Sequence, residues 1–179
     1  MPRSVYLLVY HSPLFPAHWG LFIPYPVSLL HPSTATVPDD EGSPSQKTAI
    51  GKVIHVHGDS FNGFAHQFKR NYEHDTTQRA HSLVWLCEVG DEWVGDGEDE
   101  KGDERELKLD VEPVDEIERR ALSVPAPGPS LKHAGNLGGG KKVEIKNCQT
   151  WLRDFVQVLV EEGIFPSSAL AALDAAPKN

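Results

Sequence analysis

The sequence predicts an α+β fold: an antiparallel sheet packed by a helix that begins at Cys148. Three observations predict it. Short runs rich in β-branched and aromatic residues recur from Val5 to Val89, each bounded by Gly, Pro, Asn, Asp or Ser. The clearest helical periodicity comes late, from Cys148 to Glu162. Apolar residues form 39% and charged residues 24% of the 179, which is ordinary usage for one domain with a core of its own.

Val5 to Tyr10 reads as the first strand, ending at His11-Ser12-Pro13. His18 to Pro24 is short, apolar and closed by proline, so it reads as a second strand with His18 at its first position. Pro26 to Lys47 carries Pro, Ser, Thr and Asp with little periodicity and is expected as a surface excursion, with residues 31–47 a flexible insertion. Thr48 to Val56, Phe64 to Tyr72 and Ser82 to Val89 complete the strand candidates. Gly90 to Asp110 is dominated by Asp, Glu and Gly and is expected as a second flexible insertion.

Pro113 to Leu122 places acids early and Arg119-Arg120 late, matching the helix dipole, so a short helix is expected there. Val124 to Pro129 is proline-rich and extended, residues 135–142 form a glycine-rich link, and Val143 to Lys146 is strand-like. Asn147 then caps the main helix, which puts Cys148, Leu152, Phe155 and Leu159 on one face before Gly163 stops it. Ser167 to Ala176 is a last short helix.

Composition also excludes function classes. Acidic residues outnumber basic ones 26 to 17, and a net charge of -9 argues against a nucleic-acid binder. The opening MPRSVYLLVY lacks the cleavage site of a signal peptide, and no run approaches the roughly 18 apolar residues of a membrane span, so a cytoplasmic protein is expected. Two cysteines are too few for a secreted disulfide framework and both are read as thiols. No cofactor is called for. Gly138-Gly-Gly-Lys141 lacks P-loop spacing and is rejected as a nucleotide site.

Two residue types carry candidate chemistry. A thiol at a helix start gains thiolate character from unpaired backbone N–H groups, so Cys148 is the candidate nucleophile, while Cys87, inside an apolar strand, is expected to be core. The sulfur of Cys148 belongs to the apolar helix face and points toward the sheet. Among nine histidines, His18 stands where a strand end could deliver a base, and His55 and His57 share one face of their strand, so either could orient that base. The His55-x-His57 pair, completed by His66, His74, Asp59 or Cys87, is a weak zinc pattern, and no metal is expected.

In order along the chain, His18-Trp-Gly-Leu-Phe-Ile, Gly51-Lys-Val-Ile-His55-Val and Asn147-Cys148-Gln-Thr-Trp151 resemble the lecithin:retinol acyltransferase group, permuted NlpC-type papain-like cysteine enzymes. The resemblance implies a circularly permuted papain-like fold with four to six strands. It also implies His18 as general base, His55 as its orienter and Cys148 as nucleophile, with Trp19, Gln149 and Trp151 as candidate substrate contacts. Val5 to Tyr10, Asn147-Cys148 and Gly163-Ile-Phe-Pro166 resemble the PPPDE isopeptidases, which rely on a His–Cys pair.

The expected activity is that of a cysteine hydrolase or acyltransferase that forms a thioester from an ester, thioester or amide. Two alternatives stay open: an isopeptidase acting on a protein amide, and a non-enzymatic module that binds a protein partner.

Overall fold

The computed structural model describes residues 1–26, 50–95, 106–130 and 145–179. They form a mixed α+β structure with a six-stranded antiparallel sheet in the order β5-β1-β2-β3-β4-β6. The strands are β1 Arg3–Tyr10, β2 His18–Pro24, β3 Ile50–Asp59, β4 Gly63–Glu73, β5 His81–Val89 and β6 Lys108–Asp110. Three α-helices follow or flank them, α1 Glu116–Ser123, α2 Cys148–Glu161 and α3 Ser168–Ala175.

Both faces of the sheet are covered, which is why β1 is apolar at nearly every position. Val5, Leu7 and Val9 of β1, Trp19, Leu21 and Ile23 of β2, and Ile54 and Val56 of β3 bury one face against α1, α2 and α3. The alternate residues Leu8, Tyr10, Phe22, Val53 and Tyr72 form a smaller cluster on the other face. Within β4, Asn71 takes a positive φ of 55° where the β3–β4 register shifts between Gly51 and Val53, the mark of a bulge.

The β4-to-β5 connection positions part of the site. β4 and β5 are not neighbours, so residues 74–80 must cross β3, β2 and β1. The ring of His74 meets Phe22 edge-on at 5.6 Å, so this strap runs over the second face.

α2 begins and ends for identifiable reasons. The Asn147 side chain accepts from the N–H groups of Gln149 and Thr150, and Thr150 Oγ1 accepts from the Asn147 N–H, a complete capping box. At the other end Gly163 has φ 72°, its N–H reaches Val160 O, and the Ile164 N–H reaches Leu159 O, a Schellman stop. Trp151, Leu152, Phe155, Val156 and Leu159 are buried between those ends.

Of the acidic stretch 90–110, expected as a flexible insertion, residues 96–105 lie outside the described residues. Its first residues form a 3-10 turn, Asp91–Trp93, and its last form β6, because Leu109 and its neighbours find the free edge of β4. Ile145 and Lys146, expected as the end of a strand, carry no regular structure; the chain there leads directly into the Asn147 cap. The expected insertion 31–47 and the link 135–142 lie outside the described residues, as does Gly138 to Lys141. Among the described residues no helix is long and apolar enough to cross a membrane.

Candidate active site

Cys148 sits on the first turn of α2, 6% exposed, on the helix-covered face of the sheet. Its thiol donates to the carbonyl oxygen of Ala17 at 3.8 Å. Burial raises the thiol pKa above its ordinary value, and backbone N–H groups of Trp19, Cys148 and Gln149 act against that rise. The sulfur is thus touched by the backbone on either side of His18. Cys87 packs in the same core, where burial alone pushes its thiol to about 12; both cysteines are free.

The His18 ring lies on the other face, stacked on Tyr10 with centroids 6.1 Å apart. Its Nε2 is 3.0 Å from His55 Nδ1, and His55 Nε2 is 3.2 Å from Gln67 Oε1. His55 and Gln67 are direct cross-strand partners in the β3–β4 ladder, which fixes the second of these contacts. An amide oxygen only accepts, so His55 carries its proton on Nε2, and its Nδ1 lone pair accepts the proton on His18 Nε2. That leaves the lone pair of a neutral His18 on Nδ1, which bonds to none of the described residues.

Both rings are held neutral. Burial, then Lys69, Arg79 and His57, lower the His18 pKa to about 4. Burial, then His18 and Lys69, lower His55 to about 3, against a smaller opposing effect of the Gln67 hydrogen bond. The rings open into a cleft of about 360 Å³ whose walls include Tyr10, Gln67, Lys69 and Arg79. Lys69 lies over the Tyr10 and Tyr72 rings, whose hydroxyls are hydrogen-bonded to each other. Cys148 is not among the residues lining this cleft.

The structure therefore brings His18 and His55 together and sets Cys148 against the backbone that carries His18. No hydrogen bond joins the sulfur to the His18 ring, whose Nε2 is engaged by His55. His57, the alternative orienter, is exposed at the cleft wall.

The expected substrate contacts are corrected. Trp19 and Trp151 are each 1% exposed, with indole N–H groups donating to Pro177 O and Val124 O, so both are packing residues. Gln149 is occupied too: its Nε2 bridges Ala17 O and Lys178 O, both at 2.8 Å, and so ties α2 to the strand that carries His18.

Sequence reasoning missed Gln67, Lys69 and Arg79. Gln67 becomes visible only once the β3–β4 register is known. On the other side of Tyr10, whose ring meets His81 at 6.2 Å, His74, Asp75 and His81 bring three ligand atoms within 4.8 Å of one another.

Fold and site together define an α+β protein with a helix-capped cysteine and a histidine–histidine–glutamine chain on the adjoining strands. The chain belongs to the family of unknown function DUF6540, whose model matches residues 5–166. That match spans His18, His55, Gln67 and Cys148 alike. No curated protein and no solved structure matches the chain.

Proposed function

We propose that this chain is a cysteine-dependent hydrolase or acyltransferase of the permuted papain-like kind, with Cys148 as nucleophile and His18 as general base. One observation carries the reading: the backbone of Ala17 and Trp19 holds the sulfur, while the residue between them heads the His55–Gln67 chain. Base and orienting groups are successive neighbours, and one stretch of backbone carries the base and touches the nucleophile; acyl transfer then requires the His18 ring, which rests on the opposite face, to swing round the start of β2 to the sulfur.

At neutral pH the resting pair is thiol and neutral imidazole, so proton transfer accompanies attack. Sulfur forms a bond to the acyl carbon, its proton passes to His18 Nδ1, and the carbonyl π pair moves onto oxygen. The Cys148 N–H is the natural donor to that oxyanion, since Asn147 takes the N–H groups of Gln149, Thr150 and Trp151. The imidazolium returns the proton to the departing alcohol, thiol or amine. Water or an acceptor nucleophile then resolves the thioester.

The test is acylation of Cys148 by p-nitrophenyl acetate, followed by intact-mass and peptide mapping with Cys87→Ser as background. The expected result is one acetyl group on Cys148, released by neutral hydroxylamine and absent in Cys148→Ser. Its formation should slow by about 10²- to 10⁴-fold in His18→Ala, the usual contribution of a general base. Acetylation at the same rate without His18, or a wild-type Cys148 that stays unmodified, overturns the reading and favours the protein-binding module.

A further inference from the structure

The strap between β4 and β5 carries a feature that the acyl-transfer reading does not use. His74 Nδ1 is 2.8 Å from Asp75 Oδ1 and 3.1 Å from His81 Nε2, and His81 Nε2 is 4.0 Å from Asp75 Oδ1. Three ligand-type atoms on a tetrahedral zinc ion, with bonds of about 2.0–2.1 Å, stand about 3.3 Å apart. The three observed separations bracket that value.

The outer contacts orient the ligands. His81 Nδ1 is 2.9 Å from the Arg79 carbonyl oxygen, which can only accept, so the neutral ring has its proton on Nδ1 and its lone pair on Nε2, facing His74. A backbone carbonyl behind a ligating histidine is the usual support at metal sites, because it sets both tautomer and ring direction. The His74 side chain is 12% exposed, its ring set edge-on against Phe22 and at 73° to the His81 ring. Without an ion, the single His74 Nδ1–H faces two acceptors at once. With an ion, His74 moves its proton to Nε2 and three lone pairs converge, with one carboxylate charge against the cation.

We propose that His74, Asp75 and His81 form a binding site for a divalent transition-metal ion of the zinc class, with at least one coordination position left to water or a ligand. Two imidazoles and one carboxylate suit zinc and its neighbours better than magnesium or calcium, which prefer all-oxygen shells. The ligands stand at the two ends of the strap that brings Thr77 and Arg79 to the wall of the His18–His55 cleft. A bound ion closes that strap into a loop and fixes Arg79 at the cleft. The site is independent of Cys148 chemistry.

The full chain, freed of metal by a chelator, is titrated with Co²⁺ and then with Zn²⁺. One equivalent of Co²⁺ should give visible d–d bands that Zn²⁺ abolishes, and Zn²⁺ should slow tryptic cleavage after Arg79. His74→Ala and His81→Ala should weaken binding by at least the about 10- to 100-fold that loss of an outer-shell partner costs. Asp75→Asn should also weaken it; Asp75 is exposed, so this variant carries the test even if a histidine variant misfolds. Wild type binding no more tightly than the His74→Ala/His81→Ala double variant overturns the site, whether neither binds or both bind elsewhere. Unchanged affinity in Asp75→Asn removes the carboxylate from it.

Discussion

His18 Nε2 stands 3.0 Å from His55 Nδ1, and Gln67 Oε1 behind His55 sets the direction of that hydrogen bond. A carboxylate in place of Gln67 would favour imidazolium. An amide gives orientation without charge, and with burial it keeps both rings as neutral bases.

The acylation rate of Cys148 should therefore have an acid limb set by His18 near its pKa of about 4. Gln67→Glu should move that limb upward, because the new carboxylate favours protonated His55 and, through it, a different charge state of the pair. A pH–rate profile from pH 3 to 8 on both proteins reads this directly. A wild-type limb in the ordinary histidine range, near 6.5, contradicts the buried neutral pair.

The same two histidines link stability to pH. Their pKa values fall from 6.5 in the unfolded chain to about 4 and about 3 when folded. Between pH 6.5 and 4 the unfolded state binds more protons, so their contribution is complete above 6.5 and is lost as pH falls through that window. Together they make stability fall by several kcal/mol. Calorimetric Tm should drop between pH 7 and 4.5 in wild type and drop less in a His18→Asn/His55→Asn variant. Equal slopes would show that other groups govern the acid transition.

Gly20 makes room for the pair. A Cβ at this position would lie 2.8 Å from Val53 Cγ1 and 3.4 Å from His55 Cβ, on the face of β2 that His18 shares. Gly20→Ala should cost about 1–3 kcal/mol by overpacking. Because the clash falls on Val53, two residues before His55 on the same face of β3, Cys148 acylation should slow even well below the melting temperature. Gly20→Ala combined with Val53→Ala should recover stability, as measured by urea unfolding. If the double variant is no more stable than the single one, the clash with Val53 is not the cause.

Strands, main helix and caps were legible in the sequence because each follows a local rule. His18 to Pro24 was bounded by its own proline, and Asn147 and Gly163 fixed both ends of α2. β6 was hidden because Lys108–Asp110 is three residues of ordinary composition whose only reason to be extended is the edge of β4. Trp19 and Trp151 stand in the segments that carry the family resemblance, yet alternation and helical spacing turn both rings into the core. Gln67, Arg79 and His81 could not be joined to the cleft or to His74 from sequence. Their meeting depends on strand register and on a strap crossing three strands, which are tertiary facts.

On the helix-covered face, Lys52 and Glu118 are both 0% exposed and their charged atoms are 3.4 Å apart. Lys52 also pairs with Asp115 and donates to Gly95 O at 2.9 Å, while Arg70 holds Glu118 through two contacts, so two cations and two anions are sealed beneath α1. Burial opposes the charge on Glu118, but Arg70 and Lys52 still hold its pKa below the ordinary value. Removing one member leaves its partner charged and dry, so Lys52→Met should cost about 3–5 kcal/mol. Asp115 also caps α1 by accepting from the Glu118 N–H at 2.8 Å, and Asp115→Asn keeps that acceptor. The Lys52→Met/Asp115→Asn double variant should therefore be markedly more stable than the sum of the single losses. Urea unfolding of the four proteins measures the coupling, and strictly additive losses would mean that the two charges do not depend on each other.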